Sequence, residues 1–291
     1  LKLFSEYPIK IDLNSEVDIG ETPPKFKTLD TSIDTSCSIA RVCVIEADRI
    51  ISSLSSDELN SLFCDDGKIN EEAFGKILKE NLNKQENLNS SLTESIKRKI
   101  DFLSNPKLNK DFDDDRNKKQ TTTASELKDR LKDKNFVVLQ GPAGVGKTLI
   151  SLRTALECGV NKIVYICPRV QVCLQNYFSI ISDIPSADIQ IFTGEYKLKT
   201  SNGVESTIEE NDFLNSEITI TTIDQVASLF LNHVKATKLI KILSTDTLLV
   251  FDEFHELIKY PGLFPSFKEI VNLKRQSINK NKNVVSGVLL M

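Results

Sequence analysis

The rhythm of hydrophobic and polar positions changes partway along the chain. Up to about residue 117 the apolar positions fall at helical spacing or in isolated runs. Residues 38–51 form an apolar run long enough for a buried helix, and 57–63 and 71–78 carry apolar residues at i, i+3 and i+4. Between Lys84 and Arg98 the composition turns to Asn, Ser, Gln and Lys, as in a solvated connection. The patch from Asp111 to Lys119 mixes both charges and reads as a linker of solvated side chains.

Beyond it, short continuous apolar runs alternate with helical stretches. Strands are predicted at 135–140, 162–167, 188–192, 217–221, 247–251 and 284–290, with helices following the first two. Runs that are apolar throughout, rather than at every second position, belong to strands covered on both faces. Their alternation with helices predicts an α/β fold with a parallel sheet between two helical layers. There is no internal repeat. The expected organisation is a mostly helical region over 1–117 and a sheet domain over 118–291.

Composition narrows the class. An apolar fraction of 40% and a charged fraction of 27% belong to a globular protein. No run of 18 apolar residues occurs, so no membrane span is expected, and the first residues carry no apolar signal core. The chain does not start with Met, as a piece of a longer reading frame would. The net charge of −4 argues against a generally basic nucleic-acid coat, though not against a local groove. Cys37, Cys43, Cys64, Cys158, Cys167 and Cys173 make no Cys-x-x-Cys pair. They read as reduced core residues of a cytoplasmic protein.

The chemistry centres on Gly141, Pro142, Ala143, Gly144, Val145, Gly146, Lys147 and Thr148. Gly-x-x-x-x-Gly-Lys-Thr between a strand and a helix is the P-loop pattern. Its glycines let backbone N–H groups and a helix N-terminus wrap a phosphate. Lys147 would reach the β- and γ-phosphates of a nucleoside triphosphate, ATP above all, and Thr148 would hold Mg²⁺. A second element is the apolar strand ending in Asp252-Glu253. Asp252 is the expected metal carboxylate, acting through water, and Glu253 the expected base for the attacking water. Together these predict an NTPase core.

Asp252-Glu253-Phe254-His255 resembles the Asp-Glu-x-His box of superfamily 2 helicases, which act on DNA or RNA. The resemblance implies a RecA-like sheet and a role for His255 in coupling ATP state to strand movement. It also implies single-strand contacts. Residues 166–175 resemble the family's motif Ia, with Pro168, Arg169 and Gln175, and residues 219–225 its motif Ib/Ic, with Thr221, Thr222, Asp224 and Gln225. Thr193-Gly194 stands where another strand-contacting turn is expected, and Gln120 matches the glutamine that reads adenine. Such contacts hold phosphates and position a strand without reading bases.

Within superfamily 2, residues 222–225 followed by 252–255 most resemble the CRISPR-associated helicase-nuclease of type I systems, which implies antiviral DNA degradation guided by an RNA surveillance complex. Residues 40–49 echo the nuclease helix that usually ends Ala-Asp-His, but Arg49 stands in place of the His. The chain's two histidines, His233 and His255, both follow the P-loop, so no complete HD metal site and no nuclease activity are expected. Asp48 then reads as a helix-end or surface carboxylate and His233 as a packing or surface residue.

In the family a Ser-Ala-Thr motif and a second lobe with an arginine finger follow the strand that ends here at Met291. The finger is worth about 10³–10⁵ in rate, so hydrolysis slow or absent is expected of this stretch alone, with weak binding of ATP and single-stranded DNA. Two alternatives remain open: another superfamily 2 translocase of restriction or repair, and a P-loop regulatory or assembly ATPase that binds protein partners.

Overall fold

The structure, a computed structural model, describes residues 54–62, 70, 72–73, 76, 92–110, 112–142, 144–231, 238, 242–243, 246–259, 262–277 and 285–291. The predicted helix over 38–51, Asp48, Arg49, His233, Ala143, Cys37, Cys43 and Cys64 lie outside them.

Described helices are α1 (Ser56–Ser61), α2 (92–104), α3 (Asp114–Lys134), α4 (Lys147–Cys158), α5 (Val170–Asp183), α6 (Ile223–Leu231), α7 (Phe254–Lys259) and α8 (Phe264–Ser277). The strands are β1 (Phe136–Val138), β2 (Lys162–Cys167), β3 (Ile189–Phe192), β4 (Lys197–Ser201), β5 (Val204–Thr207), β6 (Ile218–Thr222), β7 (Thr247–Phe251) and β8 (Gly287–Leu290). They form one sheet in the order β1-β8-β7-β2-β6-β3-β4-β5.

Alternate residues of the central strands feed two separate cores, as strands apolar on both faces must. Ile163, Tyr165 and Cys167 of β2, with Leu248 and Val250 of β7, point into one cluster. Leu92, Leu131, Leu152 and Tyr177, from α2, α3, α4 and α5, complete it. Val164, Ile166, Leu249 and Phe251 point the other way, against Val226 of α6 and Phe267, Ile270 and Val271 of α8. Helices therefore cover both faces, as the apolar runs predict.

Four expectations are corrected. The sheet is not wholly parallel: β3, β4 and β5 pair antiparallel, adding a hairpin at one edge. Its turn is Asn202-Gly203 with φ of 50° and 76°, the left-handed pair of a two-residue hairpin. The charged patch is not all linker. Asp113 caps α3 by accepting a hydrogen bond from the Arg116 N–H at 3.0 Å, and Asp114 and Asp115 lie in the first turn, where negative charge suits the helix dipole. A division at 117/118 would cut this helix. Residues 92–98 belong to α2 rather than to a solvated connection: Leu92 and Ile96 are core residues, and the Leu92 N–H donates to Glu217 at 2.9 Å. Finally, Asn135 ends α3 instead of starting β1; its φ is 58° and its N–H returns to the Leu131 carbonyl.

Candidate nucleotide site

Six strands, β1, β8, β7, β2, β6 and β3, run parallel and in register. Val138 pairs with Leu290, Leu290 with Phe251, Phe251 with Ile166, Ile166 with Thr221 and Thr221 with Phe192. This transverse row lies at the last or last-but-one residue of each strand, at the one edge of the sheet where ligands of open α/β folds bind. The turns and helix starts that leave it contain the predicted motifs: 139–148, 252–255, 167–169, 222–225 and 193–196. At about 4.8 Å per strand, the P-loop strand and the Asp-Glu strand stand about 10 Å apart with β8 between them. The edge is sewn together by backbone bonds from Leu139 N–H to Leu290 O, Met291 N–H to Phe251 O and Phe254 N–H to Met291 O.

Gly144 and Gly146 take φ of 81° and 85°, conformations open to glycine, and Gly146 caps the N-terminus of α4. The first N–H groups of that helix, at Lys147 and Thr148, have no carbonyl within the helix, the setting in which a helix N-terminus takes an anion. Lys147 is half-buried, and among the described residues none pairs with its ammonium. Gly141, Val145 and Thr148 are half-buried, while Pro142 and Gly144 are exposed.

Gln120 does not stand open to a base. It is buried, and its Nε2 donates to the Val145 carbonyl at 2.9 Å. A Cβ on Gly146 would lie 2.6 Å from that nitrogen. One turn earlier on α3, Arg116 donates to the Gly144 carbonyl at 2.9 Å. Helix α3 thus braces the loop from behind, a role the adenine-reading expectation did not include.

Asp252 is 9% exposed, with both oxygens engaged: Oδ1 accepts the Glu253 N–H at 3.0 Å, and Oδ2 accepts from Asn176 Nδ2 at 2.8 Å. Glu253 adopts φ of 50°, a strained setting for a residue with a Cβ, and such settings cluster at functional sites. Its Oε2 lies 3.2 Å from His255 Nδ1, and both side chains reach solvent.

A buried chain ties the P-loop helix to the sheet. Ser151 Oγ donates to the Thr148 carbonyl at 2.7 Å, and Tyr165 Oη lies 2.7 Å from the same Oγ. A hydroxyl has one proton, so Tyr165 must be the donor to Ser151. Burial, with Asp252 nearby, pushes the phenol above its ordinary range and keeps that proton in place. The three described cysteines are free and buried. Burial raises Cys158 to about 12, and a hydrogen bond with Cys173, ahead of burial, raises Cys167. These are inert core thiols.

The nucleic-acid candidates divide. Gln175, Gly194 and Asp224 are exposed and Pro168 and Gln225 half-buried, but Thr193, Thr221 and Thr222 are buried. The Thr193 hydroxyl closes its own turn by accepting from the Tyr196 N–H at 2.9 Å, and Thr221 donates to the Phe192 carbonyl at 2.7 Å. Those two hydroxyls are thus engaged within the fold. Arg169 is exposed but gripped at two points by Glu256. Asn176, Ser151, Tyr165, Arg116 and Glu256 were not visible as site residues in the sequence. Each acts through a partner many positions away or through geometry no motif spells out.

A phosphate-type loop and an acid pair separated by one strand on a common edge define the RecA-like class of P-loop NTPases. Residues 114–284, more than half of the chain, match the family described as type III restriction enzyme, res subunit, and the chain belongs to that family of superfamily 2 helicase domains. Solved structures similar to it include the DUF1998 helicase MrfA bound to DNA and AMPPNP, at 14% identity and a TM-score of 0.41 over 58% of this chain and 23% of that one. Another is the Pyrococcus furiosus Hef helicase domain, at 19% identity and a TM-score of 0.39 over 57% of this chain and 32% of that one. The chain thus spans less than a third of either. No curated protein matches it. No helix among the described residues is long and apolar enough to cross a membrane.

Proposed function

We propose that this chain is the ATP-binding lobe of a DNA translocase, coupling ATP hydrolysis to movement along a single strand. The observation that carries the reading is the transverse row that brings the P-loop, the acid pair and the three loops expected to meet a strand to one sheet edge.

In this reading the amides around Lys147 and its ammonium grip the β- and γ-phosphates. Mg²⁺ fits the donors on offer: a hydroxyl and a carboxylate, Thr148 and Asp252, are hard oxygen ligands. One or two of these plus substrate phosphates is its usual setting. When bound, the ion offsets charge on the transferred phosphoryl group. Asn176 fixes the Asp252 carboxylate, and Ser151 fixes the Thr148 carbonyl. Glu253 orients a water and accepts its proton, and His255, whose Nδ1 lies 3.2 Å from that carboxylate, couples its state to the strand-facing loops. Gln120 and Arg116 stiffen the loop.

Two settings use the same lobe. Restriction translocation is supported by the family match over 114–284. Type I CRISPR-associated degradation, with a guide-RNA surveillance complex as partner, is supported by Thr222–Gln225 followed by Asp252–His255. Copurification with a guide RNA would favour the latter.

The test is ATP hydrolysis, with and without single-stranded DNA or RNA, by a longer polypeptide in which this lobe is joined to a second RecA-like lobe. Stimulation that falls by about 10²–10⁴ in Glu253→Gln, the usual contribution of a general base, supports the reading. Hydrolysis indifferent to any strand would instead favour a regulatory P-loop ATPase.

A further inference from the structure

Arg169 follows Pro168 directly after β2 and stands at the N-cap of α5 with extended backbone, φ −142°. Strand β2 lies between β6 and β7, so this arginine projects from the edge between the Thr222–Gln225 loop and the Asp252–His255 loop. Its side chain is 53% exposed, yet the Nε side of its guanidinium is filled. Nε donates to Glu256 Oε2 at 2.8 Å, and a terminal nitrogen donates to Oε1. A guanidinium presents the same two parallel donors to a carboxylate as to a phosphate. Glu256 itself is only 19% exposed and sits in the first turn of α7, where its N–H donates to the Glu253 carbonyl at 2.9 Å.

Two ligands therefore compete for one fork. Glu256 fills the Nε side of the guanidinium, so a strand phosphate must either displace it there or take the two terminal nitrogens beside a second anion, and two anions sharing one guanidinium repel. We propose that Glu256 is a built-in stand-in for a strand phosphate: it holds Arg169 when no strand is present, and a nucleic-acid phosphate exchanges with it. The exchange releases the helix that begins one residue after Glu253, so strand occupancy is communicated to the residue read above as the hydrolytic base. This inference rests on the strand-binding reading. It adds a specific residue, Glu256, that opposes binding, and a specific cause for stimulation.

The discriminating experiment is a double-mutant cycle on strand affinity. It is read by fluorescence anisotropy of a labelled oligothymidylate across a salt series, with circular dichroism confirming that each variant is folded. Glu256→Gln keeps shape and removes charge, and should tighten binding about fivefold, the scale of one exposed ion pair. Arg169→Gln should weaken binding and reduce the salt slope by about one. In the double variant Glu256→Gln should add nothing, because Glu256 acts only through Arg169. Equal tightening in both backgrounds would make Glu256 a general repulsive charge and overturn the proposal, as would no change on Glu256→Gln in a chain that binds strand. A wild-type chain that binds nucleotide but no strand would remove the strand reading itself, and this proposal with it.

Discussion

Ser151 offers the sharpest energetic test, because its single proton fixes the direction of a buried chain. Ser151 and Tyr165 are both 0% exposed. Ser151→Ala removes the acceptor of the Tyr165 hydroxyl and the donor to the Thr148 carbonyl, each at 2.7 Å. An orphaned buried hydroxyl costs about 1–3 kcal/mol, and the lost bond to the carbonyl about 1 more. Tyr165→Phe removes the phenol and leaves Ser151 bound to Thr148, at a cost of about 1 kcal/mol. The double variant has no stranded phenol, so it should fall short of the sum by about 1–2 kcal/mol. Urea unfolding monitored by circular dichroism, with the m-value unchanged, measures all three. Nucleotide affinity should fall in Ser151→Ala and hold in Tyr165→Phe, because only the first frees the Thr148 carbonyl. Additive losses, or a serine variant no less stable than the phenylalanine one, would refute the assigned direction.

Three further outcomes are expected. Gly146→Ala should abolish nucleotide binding, since the left-handed φ of 85° and the 2.6 Å approach to Gln120 Nε2 both oppose a Cβ; adding Gln120→Ala should recover folding but not binding. Asn176→Leu should weaken binding of Mg-ATP more than binding of ATP in chelator, because it frees the carboxylate read as the metal ligand; an equal loss in both assays would count against that role. Lys274 is buried in α8, and burial lowers its pKa from 10.5 to about 7, with Asp246 opposing the shift. Between those values the unfolded chain binds more protons than the folded one, so this group makes stability rise with pH over that window. Lys274→Met should flatten the rise between about pH 7 and about pH 10, and an unchanged slope would contradict the assignment.

Much of this candidate site was legible because its motifs are local in sequence. Eight consecutive residues carry the P-loop, and an apolar strand ending in two acids carries the other half. Strand runs such as 162–167 and 247–251 are apolar throughout because both faces are buried, so their bounds could be read closely. The β4–β5 hairpin escaped because it is an edge with mostly polar residues, β5 being exposed along its whole length. Asn202-Gly203 was the signal that could have found it. The patch from Asp111 to Lys119 misled for a different reason: acids followed by bases suit a solvated linker and the first turn of a capped helix equally. Gln120 was singled out, but for a base rather than for the Val145 carbonyl. Asn176 with Asp252, Tyr165 with Ser151 and Arg169 with Glu256 are pairings made by topology, and nothing in the spacing of one strand announces its partner on another.

The central claim is that a triphosphate sits on the amides and ammonium around Lys147. Calorimetric titration of ATP with Mg²⁺ into the wild-type chain, Lys147→Ala and Glu253→Gln tests it most directly. The account predicts saturable binding by the wild type and by Glu253→Gln, and loss of binding in Lys147→Ala while its unfolding curve is unchanged. Binding that survives intact in a folded Lys147→Ala protein would contradict it.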